Sequence, residues 1–200
     1  MLIIGITGNI GSGKTTVSKI LESEGAYIIN ADHIAREVLS KDGTGYTETI
    51  EFFGDSILQE GGEIDRSQLA SIVFNDKSKL AKLNELTHKH VRAKIDEMIE
   101  KARTENLHKL ICLDVPLLFE SGLDKICDVT WVIDAPHETK ITRVIERDKT
   151  DRESAKSRLD NQTPSSELKK KADTVIDNDT DANELSERVL GELFKLLGRQ

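Results

Sequence analysis

Five short runs of almost unbroken apolar residues constrain the fold more than any other feature: Leu2 to Thr7, Ala26 to Asn30, Leu110 to Val115, Val129 to Asp134 and Thr174 to Asp177. A strand wetted on one face alternates apolar and polar side chains, whereas a strand covered on both faces reads as a continuous run. Amphipathic stretches lie between the runs. The longest spans Lys77 to Arg103, with Leu80, Leu83, Leu86, Val91, Ile95 and Met98 at helical spacing. Strand and helix in alternation predict an α/β fold built on a five-stranded, mainly parallel sheet. At 200 residues the chain reads as a single domain. A chain of that size buries about 70% of its unfolded surface and needs no covalent staple.

Two connections exceed a simple crossover. The stretch between the second and third runs reads as helices joined by loops at "KDGTG" and "EGGEID", which predicts an inserted helical lobe over 34–107. His137 to Lys171 is rich in charge and poor in large apolar side chains, and reads as a mobile flap over 137–171. Residues 1–33, 108–136 and 172–200 are left to form the sheet-bearing core.

The first run leads directly into "GITGNIGSGKTT". Gly8, Gly13, Lys14 and Thr15 fit the pattern G-x-x-x-x-G-K-[ST], and Val17, Ile20 and Leu21 continue on one helical face behind it. Bare glycine backbones permit the turns that point successive amides at phosphate oxygens at a helix N-terminus. The residues from Asn9 through Ile10, Gly11, Ser12, Gly13 and Lys14 to Thr15 and Thr16 are therefore candidate ligands of a nucleotide such as ATP. Lys14 is placed to neutralise the β- and γ-phosphates, and the Thr15 hydroxyl to hold Mg²⁺. Guanine selectivity would call for an NKxD sequence, and no Asn-Lys pair occurs. "DGTG" at Asp42 to Gly45 follows a helical segment rather than a strand and reads as a turn.

Open α/β sheets bind ligands beyond the carboxyl ends of their strands, which singles out Asp32 and Asp114. Asp32 has the chemistry to accept a proton from an attacking hydroxyl, and equally to cap the helix "HIAREVL". Asp114 has the chemistry to assist Mg²⁺, and equally to open a turn before Pro116. Arg143, Arg147, Arg152 and Arg158 are four of ten arginines in the chain. They read either as guanidiniums that close over phosphates or as surface partners of Glu146, Asp148 and Glu153. His88 and His90 stand two apart on a helix, a spacing that does not place both rings on one face for a metal.

Composition narrows the setting. A net charge of −8 disfavours nucleic acid as a partner. No apolar stretch approaches the roughly 20 residues of a membrane span, and Leu2 to Ile6 lacks the flanks of a signal peptide. Cys112 and Cys127 have no CxxC partner and suit a reducing cytoplasm.

"GITGNIGSGKTTVS", "NADHIAREVL", "DRSQLASIVF", "DVPLLFESGL", "RLDNQ" and "ADTVIDN", in this order along nearly the whole chain, closely resemble the dephospho-coenzyme A kinase family. The resemblance implies transfer of the ATP γ-phosphoryl to the ribose 3′-hydroxyl of dephospho-coenzyme A, the last step of coenzyme A synthesis. It also implies a nucleotide core, a helical coenzyme A lobe and a lid, with the catalytic base at Asp32 and a lid arginine at Arg143. The chain is expected to act as a monomer or small homo-oligomer. One departure stands out. The family usually carries His-Pro after "LNELT", whereas here Lys89 follows His88, which leaves the helix geometry there open. The rivals are a kinase of another small metabolite, such as a nucleoside monophosphate or shikimate, and a nucleotide-switched binding protein.

Overall fold

The computed structural model describes residues 1–106 and 108–198, so the expected lobe boundary at 107 and the last two residues of the expected core lie outside the described residues. In chain order the elements are β1 (Leu2–Thr7), α1 (Lys14–Ser23), β2 (Tyr27–Asn30), α2 (Ala31–Val38), α3 (Tyr46–Phe53), α4 (Arg66–Phe74) and α5 (Lys77–Glu105). They continue with β3 (Leu110–Asp114), β4 (Val129–Asp134), α6 (His137–Asp148), α7 (Arg152–Asp160), α8 (Ser165–Lys171), β5 (Thr174–Asp177) and α9 (Ala182–Leu197). The chain divides into two compact units, Met1–Ile29 with Glu105–Gln200, and Asn30–Thr104.

The first unit carries one all-parallel sheet in the order β2-β3-β1-β4-β5. Registers such as Ile6 with Asp114 and Ile6 with Trp131 place β1 at its centre. All six β1 residues are buried, as are all of β3 and β4, which explains why these strands read as continuous apolar runs. Ile4, Ile6, Trp131 and Ile133 pack with Val17 and Leu21 of α1 and with Leu185, Val189 and Leu193 of α9. Two strand ends differ from expectation by one residue. The Ala26 amide still bonds to the Leu21 carbonyl at 3.0 Å, so this residue finishes the turn out of α1 and the strand starts at Tyr27. Val115 lies past the end of β3, although its amide reaches the Ile6 carbonyl at 3.0 Å.

The segment read as an apolar-poor flap is three helices. Ile141 and Val144 of α6 and Ala155 and Leu159 of α7 are buried together against Ile10 of the glycine-rich loop. Its few apolar side chains therefore fall on one face, which a count of composition does not register.

The second unit is helical, with Ile57, Ile64, Leu69 and Val73 at its core. α5 is one continuous helix of 29 residues through Lys89, so the absence of proline after His88 leaves an unbroken backbone ladder. Its buried stripe runs Leu86, Val91, Ile95, Ile99 and Ala102, whereas the expected Leu80 is 40% exposed. Asp42 to Gly45 form turns, as read from the sequence.

Candidate active site

Gly8 to Thr15 wrap the N-terminus of α1. Gly13, the residue ahead of the helix, has φ 99° and ψ 21°, a left-handed conformation that a side chain opposes. A Cβ there would stand 2.0 Å from the Asn178 amide nitrogen, so the position excludes any side chain on packing grounds as well. The helical ladder begins at the Gly13 carbonyl, which accepts from the amides of Thr16 and Val17 at 3.0 and 3.2 Å. No side chain caps α1. The amides of Gly13, Lys14 and Thr15 therefore precede that ladder, at the positive end of the helix dipole.

The loop is held from outside by its own carbonyls and side chains. Asn178, just past β5, donates from Nδ2 to the Ser12 carbonyl at 2.7 Å. Arg143 donates to the carbonyls of Gly11 and Ser12 at 3.3 and 3.5 Å, and to the Asn178 carbonyl at 3.2 Å. The Ile10 amide donates to Gln162 Oε1 at 2.8 Å, and Asn9 Nδ2 to the Thr163 carbonyl at 3.0 Å. The Ser12 hydroxyl, by contrast, is buried and has no hydrogen-bond partner, an open valence inside the loop. No ion pair among the described residues engages Lys14. Open amides, an unmatched hydroxyl and an uncompensated ammonium fit a polyphosphate.

Asp114 ends β3 beside Ile6 of β1 and is 5% exposed. Its Oδ2 accepts from the Ser18 hydroxyl at 3.1 Å, one turn beyond Lys14 and Thr15 on α1. The structure thus brings Asp114 against the helix that carries Thr15. No group of three His, Cys, Asp or Glu side chains suited to a metal occurs among the described residues. A hydroxyl and a single carboxylate nevertheless fit Mg²⁺, which keeps several waters and takes phosphate oxygens as ligands. Cys112, two residues earlier, is no nucleophile: burial, and then the neighbouring Asp114 charge, push its thiol far up.

The four arginines separate into two kinds. Arg143 serves the loop, while Arg147 and Arg158 both pair with Asp148 and Arg152 pairs with Glu138, all at the surface. The surface-pair alternative holds for those three, with Glu138 taking the part expected of Glu146 and Glu153.

Asp32 belongs to the helical unit, as the second residue of α2, and is exposed. The alternative in which it caps that helix is corrected: the cap is Asn30, whose side chain accepts from the His33 amide at 2.9 Å. Asn30 has extended backbone angles and lies immediately ahead of the first helical residue, the geometry a cap needs. The same unit bears a surface hollow of about 460 Å³ lined by residues that include Ile34, Val38, Gly43, Thr44, His90 and Ala93. His90, not His88, faces it, and lies 3.5 Å from Glu48, which Lys89 also pairs at 2.5 Å.

Sequence reasoning missed Asn178, Gln162, Asp134 and Lys140. Asp134 ends a strand just as Asp114 does, and the rule that selected one selects both. Asn178 closes the quoted "ADTVIDN". Gln162 closes the quoted "RLDNQ" in the same way, and Lys140 lies in none of the quoted motifs.

The sequence model described as dephospho-CoA kinase matches residues 2–184. The chain is 44% identical to the dephospho-CoA kinase of Fusobacterium nucleatum over 189 residues, 94% of this chain and 95% of that protein. The structure of dephospho-CoA kinase from Campylobacter jejuni superposes with a TM-score of 0.74 at 32% identity, covering 99% of this chain and 98% of that one. Shikimate kinase from Aquifex aeolicus superposes at 0.51 with 18% identity over 96% of each chain, a likeness of fold alone. The match over residues 2–184 and the 44% identity, together with a glycine-rich loop carrying these open donors, place the chain in the dephospho-CoA kinase family.

Proposed function

We propose that this chain catalyses transfer of the ATP γ-phosphoryl to the ribose 3′-hydroxyl of dephospho-coenzyme A, giving coenzyme A and ADP. The observation that carries the reading is the N-terminus of α1, where amides ahead of the helical ladder and the buried Ser12 hydroxyl await acceptor oxygens. Family membership supplies the acceptor.

In this reading the backbone from Asn9 to Thr16 holds the phosphates and Lys14 meets the β/γ charge. The 3′-hydroxyl oxygen bonds to the γ-phosphorus as the bond to the β,γ-bridging oxygen breaks, and the hydroxyl proton passes to a carboxylate oxygen of Asp32. Asp32 follows the carboxyl end of β2, the kind of position where open α/β sheets place ligands. Arg143, set on the loop carbonyls, adds positive charge at its rim. The Thr15 hydroxyl and the Asp114 carboxylate would hold Mg²⁺, which would supply charge neutralisation on the phosphates. Little covalent chemistry falls to the protein, because a loose phosphoryl transition state is served mainly by positioning and electrostatics. The helical lobe over 34–107 takes the coenzyme A portion, with the hollow beside His90 as its seat, and 137–171 serves as the lid. The enzyme works in the cytoplasm, a reducing setting in which Cys112 and Cys127 keep their thiols.

A coupled assay comparing acceptors tests this. Dephospho-coenzyme A should give stoichiometric ADP and coenzyme A, identified by mass, while shikimate and nucleoside monophosphates give background rates. ADP release independent of any acceptor would instead support a nucleotide switch.

A further inference from the structure

Behind the phosphate loop lies a polar cluster, buried at Asn9, Asp134 and Lys140 and half-buried at Ser165 and Lys169, that the phosphoryl transfer leaves unused. Lys140 of α6 is 4% exposed, and its ammonium donates to Asp134 Oδ1 at 2.7 Å and to the Ser165 hydroxyl at 2.8 Å. Asp134 also pairs through Oδ2 with Lys169 at 2.8 Å. The Ser165 oxygen lies 2.8 Å from Asn9 Oδ1 and 3.0 Å from Asp134 Oδ1. Asn9 is 5% exposed and follows the first glycine of the loop. Its amide orientation is set, because Nδ2 donates to the Thr163 carbonyl at 3.0 Å.

A serine hydroxyl has one proton, and here two acceptors compete for it. Which one wins depends on what else each acceptor receives. Asp134 already takes two ammonium groups, one on each oxygen, so the proton is released to Asn9. Without the Lys140 ammonium, Oδ1 of Asp134 would stand bare in a buried site and would draw the proton back. Asn9 would then keep only its bond to the Thr163 carbonyl, although no residue in contact with the loop amides had been altered. The main chain at Lys140 is equally close to the loop: a Cβ on Gly11 would lie 2.5 Å from the Lys140 carbonyl.

We propose that Lys140 and Ser165 are positioning residues for the nucleotide: Lys140, by satisfying Asp134, directs the Ser165 proton to Asn9 and so fixes the first half of the phosphate-binding loop. Neither residue touches the reacting atoms. Their effect passes through Asn9 to backbone amides whose aim determines phosphate affinity. The inference rests on the reading of this loop as the ATP site.

The test is ATP affinity by titration calorimetry, with melting curves and acceptor KM measured on the same preparations. Ser165→Ala should weaken ATP binding on the order of tenfold, the equivalent of one lost hydrogen bond, while the KM for dephospho-coenzyme A stays within twofold. Ser165→Thr, which restores a hydroxyl, should recover most of it. Lys140→Met should match Ser165→Ala, and combining the two should add little. Asn9→Ala with Ser165→Ala should bind no more weakly than Asn9→Ala alone. ATP affinity within twofold of the unaltered protein in a folded Ser165→Ala variant overturns the proposal, as do effects of Asn9→Ala and Ser165→Ala that multiply. If the unaltered protein bound no ATP, the reading of the loop would fail and this inference with it. Normal binding by the unaltered protein and by every variant sinks the inference alone.

Discussion

Lys14 carries a charge that the folded protein does not neutralise, and this makes it an informative side chain to remove. Lys14→Ala should leave the melting temperature within a degree or two of the original, since the residue joins no ion pair among the described residues. Turnover should fall roughly 10²- to 10³-fold, the usual cost of losing one preorganised charged donor. Steady-state kinetics beside a melting curve decide it, and near-normal turnover removes Lys14 from the site. Asp32→Asn is sharper now that Asn30 is identified as the cap. The cap remains, and only a first-turn charge worth about 0.3–1 kcal/mol with the helix dipole is lost. If the carboxylate accepts the 3′-hydroxyl proton, single-turnover rates should drop on the order of 10²- to 10⁴-fold with ATP affinity unchanged. A normal rate would transfer attention to Asp114. Arg143→Ala should lower kcat and also loosen ATP, because the guanidinium bonds to two loop carbonyls. A variant with altered melting and unaltered kinetics would make Arg143 purely structural.

Helices α6 and α7 form a small packed pair, and their stability is measurable as such. Ile141 is fully buried among Val144, Ala155 and Leu159, so Ile141→Ala should cost about 2–5 kcal/mol in urea unfolding. A loss below 1 kcal/mol would mean that these helices pack more loosely than their contacts indicate. Elements of this kind divide what a sequence reveals from what it conceals. The strands were legible because burial on both faces writes itself as an unbroken apolar run, and the loop because glycine, lysine and threonine are needed at fixed spacing. The start of β2 at Tyr27 rather than Ala26 is not legible, because a helix-terminating bond to Leu21 leaves no trace in residue type. The supports of the loop were concealed for a deeper reason. Gln162 and Asn178 meet Ile10 and Ser12 across more than 150 residues, and only the crossovers that lay β5 beside β4 and β4 beside β1 bring them there. The packed face shared by α6 and α7 is not legible in the sequence, because four apolar side chains scattered over two helices are too few to register before they are folded together.

Acid should destabilise the molecule in a defined window. Burial acts to raise the Asp134 carboxyl and is the largest single influence, but the hydrogen bonds and charges of Lys140 and Lys169 outweigh it and hold the group below the ordinary aspartate range. A depressed carboxyl contributes stability above its unfolded pKa of about 3.9 and loses it as pH falls through the lower, folded value. Melting temperature should therefore stay level from neutrality to about pH 5 as far as this group is concerned, and fall below about pH 4. Asp134→Asn should make that fall shallower. Trp131, the single tryptophan and fully buried, reports the transition by fluorescence, and an unchanged acid slope in the variant would clear Asp134 of the effect. The sheet order has a consequence for synthesis. β1 is the central strand, yet Leu2 pairs with Leu110, and its other neighbour, β4, begins at Val129. A ribosome adding about 5–20 residues each second delivers those partners many seconds after β1 has left the exit tunnel. Throughout that interval "LIIGIT" is a bare, largely apolar hexapeptide without its partner strands, while the helical unit over Asn30–Thr104 is completed first. The newborn chain is thus most exposed to misassociation with its neighbours on a polysome at the strand that later becomes its most sheltered.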